Sequence, residues 1–382
     1  MVKIEPPQGD LSRFAYPKVN SIALYYAQQN VGKRNISLDL SRPEAAEILR
    51  RLAAKADIVL ENFRPGVMAR LGLDEAVLRG ANPRLIYASL SGYGQDGSWA
   101  NRRAYAVITQ AEMGMTAGSL AHRGGEPMNE PYSHADVYAG LLTLSAILAA
   151  LHQRDRTGDG QRVEVSMAES LLFVNEHVQS ELAGVEAPGR IVSLAPGDSP
   201  VCETADGHLI TIAGHPAATG TFELYCAAMG RADLRQDPRF ATESDRLDHR
   251  AELDGVVRDW VRSHGDLAVL EASLADAGLA MGVVRTVREV AETGWAAERE
   301  AIIGVPDRRG GTIRLPNSPW RFSAASAHAR GAPAYRGEHN REVLTELLGM
   351  DDQELDRLTE AGVLSSRVPA DQADEQARRP SA

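Results

Sequence analysis

PYSHADVYAGLLTLSAILAALHQRDRTGDGQRVEVSMAES, residues 131–170, holds a helix, a turn, a strand and the start of a second helix in one run. Between Val137 and Leu151 the chain carries no charge and is apolar or small on every side, which predicts a helix buried all round. After Leu151, His152-Gln153-Arg154-Asp155-Arg156 returns the helix to water and Thr157-Gly158-Asp159-Gly160 supplies a turn. Val163, Val165 and Met167 then alternate with Arg162, Glu164 and Ser166, the period of a strand with one buried face. Ser166 and Glu169 form an S-x-x-E capping box for a further helix, Met167 to about Leu182.

One acid, Asp136, stands at the mouth of the apolar helix, and its residue type has two readings. Asp is a preferred N-cap, because its carboxylate accepts free amides of the first turn. Equally, a carboxylate at the positive end of a helix stays ionised, and partial burial leaves it poorly solvated and reactive. Spacing alone leaves both open.

Toward the N-terminus the same alternation continues. Val2-Lys3-Ile4-Glu5 reads as the end of a strand stopped by Pro6-Pro7, so the chain begins on half a unit. Ile36, Leu38 and Leu40 alternate as a strand, and Ser41-Arg42-Pro43-Glu44 reads as a capping box for a helix over Ala45–Lys55. Asp57–Leu60 and Arg84–Leu90 are strands separated by helices over Pro65–Leu71 and Asp74–Arg79. Strands alternating with helices predict an α/β fold with a doubly wound, Rossmann-like parallel sheet. Ligands of such sheets bind beyond the carboxyl ends of strands, here Leu38–Ser41, Asn62–Arg64 and Ser91–Gly97. The last contains a G-x-G-x-x-G string, but no helix opens at its third glycine and no acid follows about 20 residues on, which rules out a dinucleotide fingerprint.

Toward the C-terminus, Gly, Pro and Ser gather over 187–200, a linker signature that closes a first domain over 1–186. A smaller α+β domain over 201–303 follows. Within it, Val201–Thr204 and His208–Ile212 form a hairpin, helices lie near 216–229, 249–264, 266–277 and 287–299, and Met281–Val284 is a strand. A second linker, Gly304–Gly311, leads to a strand over Thr312–Leu315 and a segment ending near 365. Residues 366–382 have the composition of a disordered tail.

The chain has 382 residues, 43% hydrophobic and 24% charged, the composition of a soluble globular protein. A net charge of −11 without a basic patch argues against a nucleic-acid partner. The apolar run 137–151 falls short of the ~18 residues of a membrane span, and MVKIEPPQGD is not a signal peptide. Cys202 and Cys226 are the only cysteines and form no C-x-x-C pair, so a cytoplasmic location with reduced thiols is expected. No histidine cluster or H-E-x-x-H pattern offers a metal site.

Asp136-x-x-x-Gly140, Ala149-Ala150-Leu151 and Thr157-Gly158-x-Gly160-Gln161 resemble the nucleophile segment of class III CoA-transferases, the CaiB/BaiF family of formyl-CoA transferase and the carnitine and bile-acid CoA-transferases. Lys33-Arg34, Asn62-Phe63-x-Pro65-Gly66, Ser91-Gly92-Tyr93-Gly94, Tyr105, Gln110, Asp237-Pro238-Arg239-Phe240 and Gly337-Glu338-His339-Asn340 extend the resemblance from Val2 to about Val363. It implies an acyl-CoA:carboxylate CoA-transferase with Asp136 as nucleophile and no permanently bound cofactor. Coenzyme A thioesters and carboxylic acids are then its substrates. It also implies coenzyme contacts at Leu38, Asp39, Leu40, Ser41, Asn62, Phe63, Arg64, Arg70, Arg103, Ala104, Tyr105 and Ala106. On physical grounds Arg64, Arg70, Arg102 and Arg103 are suited to neutralise the coenzyme's phosphates, because guanidinium contacts phosphate bidentately. The segment 304–365 would return to the first domain, and two chains would interlock as a homodimer. The family's first strand and helix have no counterpart here, as though the start codon were placed late or the chain were a fragment. Its usual acid after the tyrosine is replaced by Ala106. A 2-methylacyl-CoA racemase is the alternative within the superfamily, but its histidine would fall at Tyr105; an inactive CoA-binding homologue is the alternative outside catalysis.

Overall fold

The computed structural model describes residues 1–123, 125–176, 178–183 and 198–368, in two compact units: Met1–Gln179 with Ala297–Ala382, and Ser180–Ala296. Most of the expected linker at 187–200 and most of the expected tail at 366–382 lie outside the described residues.

The first unit is mixed α/β with parallel sheets. Val2–Glu5 pairs in parallel with Arg34–Ser37, and Ile58–Glu61, Ile86–Ser91 and Arg162–Ser166 form a second parallel sheet in that order. The parallel pairing thus appears as two sheets and not as one continuous sheet. Ile36 and Leu38 pack with Ala45, Ile48 and Leu52 of the helix Pro43–Ala53, and with Val343, Leu344, Leu355 and Leu358 of the return segment. Each of the Val, Ile and Leu side chains among them contributes about 1.5–3 kcal/mol on burial.

Gly337–Asn340 satisfies the edge of the strand Arg34–Ser37. The Asn35 side chain donates to Glu5 Oε1 (2.6 Å) and accepts the Gly337 N–H (2.7 Å). The Asn35 N–H donates to His339 Nδ1 (3.0 Å) and the Ser37 N–H to Asn340 Oδ1 (2.9 Å). These bonds replace the neighbouring strand that an edge otherwise lacks.

In the second unit, Val201–Glu203, Leu209–Ile212 and Met281–Val283 make an antiparallel sheet with Leu209–Ile212 in the middle. Cys202, Ile210 and Ile212 meet Tyr225, Val257, Val261, Leu270 and Leu274 from three helices, Phe222–Met229, Arg250–Arg262 and Leu267–Asp276. Burial raises the pKa of both cysteine thiols, which keeps them protonated.

Several local expectations are corrected. The strand expected over Ile36–Leu40 runs over Arg34–Ser37 instead, and Leu38 makes only an isolated bridge to Leu364. Ser41 does not cap the next helix: its hydroxyl donates to Asp39 Oδ1 at 2.6 Å, and the N-cap position falls on Arg42 without a side-chain bond. The helix expected over 167–182 is two helices, Met167–Val174 and Val178–Leu182. The expected linker Gly304–Gly311 begins as a strand, Ile302–Pro306, paired antiparallel with Thr312–Pro316. Gly304 and Pro306 read as punctuation because an edge ribbon tolerates both residues where a central strand does not.

The central helix departs most. It covers His134–Thr157, longer than the 137–151 run, and by length and composition alone it is apolar enough to cross a membrane. It is not buried all round. Ala135, Ala139, Thr143, Ile147, Ala150 and Arg154 are buried, and that face packs on the strands Ile86–Ser91 and Arg162–Ser166 and the helices Ala106–Glu112 and Met167–Val174. Val137, Leu141 and Leu148 on the other face are 55%, 52% and 57% exposed.

Candidate active site

The central helix is fixed at both ends. Near its C-terminus the buried Arg154 donates to Asp57 Oδ1 at 3.0 Å and to the Arg84 carbonyl at 3.4 Å, both just before strands of the parallel sheet. At the other end Ala135 and Ala139 share an apolar cluster with Leu90, Ala104, Ala106 and Met167, which lie at or beyond the strands' carboxyl ends. From Asp136 to Arg154 the helix rises about 27 Å, more than the ~20 Å of a six-residue strand. Asp136 therefore sits at the carboxyl-end side of the sheet, where open parallel sheets bind ligands.

The cap reading of Asp136 is corrected by this helix: Ser133 is the N-cap residue and Asp136 lies one turn in. Its carboxylate accepts no hydrogen bond and forms no ion pair among the described residues. In the single chain the side chain is exposed, yet the surrounding atoms desolvate it enough to raise its pKa above the ordinary carboxylate value. The Asp136 N–H is also unpaired among the described residues, whereas those of His134, Ala135 and Val137 go to Tyr132 O, Gln110 Oε1 and Ser133 O.

The expected coenzyme contacts fall on loops that leave the carboxyl ends of parallel strands. Leu38 is buried, Asp39 and Leu40 are half-buried, and Ser41 is exposed. Asn62, Phe63 and Arg64 are exposed just after the strand Ile58–Glu61, and Arg70 is exposed at the end of a short helix, Val67–Arg70. Arg64, Arg70 and Arg103 make no ion pair among the described residues, so all three cations face water. Arg102 differs. It pairs with Glu112, which also accepts the Tyr93 hydroxyl, and its guanidinium lies 4.3 Å from the Trp99 ring centre. Arg102 thus helps to hold the glycine loop in the chain without ligand.

Ala104 is half-buried, Tyr105 is 65% exposed as the N-cap of the helix Ala106–Glu112, and Ala106 is buried. Ala106 packs in the cluster of Ala135 and Ala139, so position 106 lies beside the first turn of the central helix. A carboxylate there would be desolvated against Ala135 and Ala139; alanine fills the place without charge. The Gly92 backbone passes so close that a Cβ built on it would stand 2.1 Å from the Ala104 Cβ.

Sequence reasoning missed three acids of this region. Glu61 Oε2 accepts the Phe63 N–H, Glu164 Oε1 accepts the Gln95 N–H, and Glu112 ties Tyr93 to Arg102. Glu61 was readable as an acid two residues before a turn amide. The other two act across 69 and 19 residues of chain, and no local pattern reveals them.

The model of CoA-transferase family III matches residues 1–340. The chain belongs to this family. It is a CoA-transferase, and the succinyl-CoA:D-citramalate CoA-transferase of Chloroflexus aurantiacus is 32% identical to it over 362 residues, spanning 93% of this chain and 89% of the relative. The formyl-CoA:oxalate CoA-transferase of Streptomyces avermitilis is 30% identical over 393 residues, spanning 95% and 92%. Among solved structures, a CAIB/BAIF family protein from Brucella suis superposes with a TM-score of 0.74 at 31% identity over 91% of each chain. Rv3272 from Mycobacterium tuberculosis, in its orthorhombic form, gives 0.74 at 31% over 89% of each. Coenzyme A thioesters are the substrates of CoA-transferases.

Proposed function

We propose that the protein transfers coenzyme A between an acyl-CoA and a free carboxylic acid through a thioester formed on Asp136. The observation that carries this reading is the place of that side chain: a carboxylate in the first turn of a helix, on the carboxyl-end side of the parallel strands, partly desolvated and with no protein partner on its lone pairs. A carboxylate free of protein partners and partly desolvated beside the strand ends suits a nucleophile.

Asp136 attacks the thioester carbonyl, the C–S bond breaks, and a mixed anhydride forms as the CoA thiolate departs. The thiolate attacks the aspartyl carbonyl, releasing the donor carboxylate and leaving an aspartyl-CoA thioester. The acceptor carboxylate attacks that thioester to give a second mixed anhydride and free thiolate. Attack of the thiolate on the acyl carbonyl then forms the new acyl-CoA and regenerates Asp136. Each thioester replaces another of similar free energy, so transfer needs no other energy source. The unpaired Asp136 N–H is a donor for the tetrahedral oxyanions, and one well-placed donor contributes ~3 kcal/mol.

Leu38–Ser41, Asn62–Arg64, Arg70 and Arg103–Ala106 hold the coenzyme in this reading. Arg64, Arg70 and Arg103 supply the unpaired cations for its phosphates. A second copy of the chain covers the apolar face of Val137, Leu141 and Leu148, and with it the exposed side of Asp136, in an interlocked homodimer. Asp136→Asn tests the reading: transfer of CoA from succinyl- or acetyl-CoA to a panel of acids falls at least 1000-fold and the CoA adduct on the protein disappears. Full turnover by that variant rejects it.

A further inference from the structure

The first turn of the central helix is tied down from outside. Ser133, in the N-cap position, makes no side-chain hydrogen bond to the turn. The Ala135 N–H is instead taken by Gln110 Oε1, at 3.3 Å, from the helix Ala106–Glu112. Gln110 is 1% exposed and its Nε2 is buried with no hydrogen-bond partner. A buried amide donor left unpaired is costly. An apolar side chain of similar size would suit the adjoining Ala106, Ala135 and Ala139 cluster better if packing were the only demand. The glutamine is therefore explained by its oxygen, and that oxygen bonds the residue immediately before Asp136.

We propose that Gln110 is a positioning residue for transfer, its Oε1 fixing the first turn of the helix so that the Asp136 carboxylate and N–H keep the orientation in which they meet the thioester. This rests on the proposed role of Asp136. The geometry separates the two residues' tasks. Asp136 touches the reacting atoms, whereas Gln110 acts on it through the peptide of Ala135. With the amide acceptor removed, the turn frays as helix ends do when an orphan N–H loses its partner. The nucleophile is then held in its working orientation only part of the time. Binding of the acyl-CoA, made by other loops, is spared.

The test compares Gln110→Met, Gln110→Glu and Asp136→Asn in the full-length protein, using succinyl-CoA and the most active acceptor found. Gln110→Met loses the acceptor and is expected to lower kcat 10- to 100-fold while KM for succinyl-CoA changes less than threefold. Gln110→Glu keeps an acceptor oxygen and is expected to recover most of that loss at high pH. No charged group contributes to the shift of Asp136 in the wild type, so the new carboxylate also moves the acid limb of the kcat profile upward. Retention of wild-type kcat by Gln110→Met overturns the proposal. So does a Gln110→Glu variant that folds but recovers no activity and leaves the acid limb in place; it serves as the deciding variant if Gln110→Met fails to fold. Asp136→Asn separates the two ideas: if it turns over normally the nucleophile reading itself falls, and if it is inactive while both Gln110 variants are unimpaired only the positioning role falls.

Discussion

Glu61 Oε2 accepts the backbone N–H of Phe63 at 2.8 Å, so the last residue of one parallel strand folds the loop that follows it back on itself. Glu61 is 9% exposed, while Asn62, Phe63 and Arg64 project into water beyond the strand end. The acid next to this proposed coenzyme loop shapes the turn. Glu61→Ala is expected to raise KM for the acyl-CoA about 5- to 30-fold, the equivalent of one charge-assisted hydrogen bond of ~1–2 kcal/mol, with kcat nearly unchanged. Glu61→Gln, which keeps an acceptor, stays within a few-fold of wild type. Steady-state kinetics at saturating acceptor checks both.

Asp136 predicts a pH dependence with a definite sign. Desolvation raises its pKa in the folded chain above the ordinary carboxylate value, so the folded state holds the proton to higher pH than the unfolded state does. Stability contributed by this group is present below the unfolded pKa and is lost as pH rises through the folded one. At neutral pH the ionised carboxylate works against folding and, in the proposed mechanism, for catalysis. Transfer is expected to fall as acid titrates Asp136, with the acid limb of kcat/KM above the ordinary aspartate range. Asp136→Asn is expected to lose transfer and yet to melt no lower than wild type at pH 7 in a thermal scan. A clear loss of thermal stability in that variant would instead assign the carboxylate a structural partner.

Gly92 predicts a steric coupling between the glycine loop and the segment after it. A Cβ at this position stands 2.1 Å from the Ala104 Cβ and 3.6 Å from its Cα, and alanine offers no flexible end that gives way. The Gly92 carbonyl also accepts the Ala168 N–H at 3.0 Å, which prevents the loop from backing off freely. Gly92→Ala is expected to cost ~1–3 kcal/mol, the usual range for overpacking, and to displace Ala104, Tyr105 and Ala106. A lowered melting temperature together with weaker acyl-CoA binding checks it.

Much of this was readable from residue order. The parallel pairing of Ile58–Glu61, Ile86–Ser91 and Arg162–Ser166 follows from strands that alternate with helices, and so does the position of the loops at their carboxyl ends. What failed did so through competition between neighbours. Ser41 lost its capping role because Asp39, two residues earlier, captures its hydroxyl and its N–H. The ion pair that sets Arg102 apart from Arg103 was not legible either, because its partner is Glu112 on the next helix. Asp136 looked like a cap because position, not type, decides: the cap fell at Ser133, where the backbone leaves the helix. The Gln110 contact was invisible for the same reason as those of Glu112 and Glu164, since it depends on how two helices pack.

The apolar outer face of the central helix carries the remaining prediction. Periodicity could say that Val137–Leu151 lacked a polar side, but not what covers each side, and a single chain buries only the stripe through Ala135, Ala139, Thr143 and Ile147. Val137, Leu141 and Leu148 stay exposed, and Leu172 and Phe173 of the helix Met167–Val174 are 42% and 79% exposed. Large apolar side chains gathered on two elements that pack together mark a surface that something covers. In the homodimer proposed above it is the second chain, and covering it shields the Asp136 carboxylate from water as the thioester mechanism requires. Leu141→Arg places a charge in the middle of that face without touching the buried stripe. It is expected to shift the protein toward a monomer in analytical ultracentrifugation, and to lower transfer at least tenfold because the nucleophile becomes solvated. A wild-type protein that sediments as an active monomer would refute the covering role of the second chain.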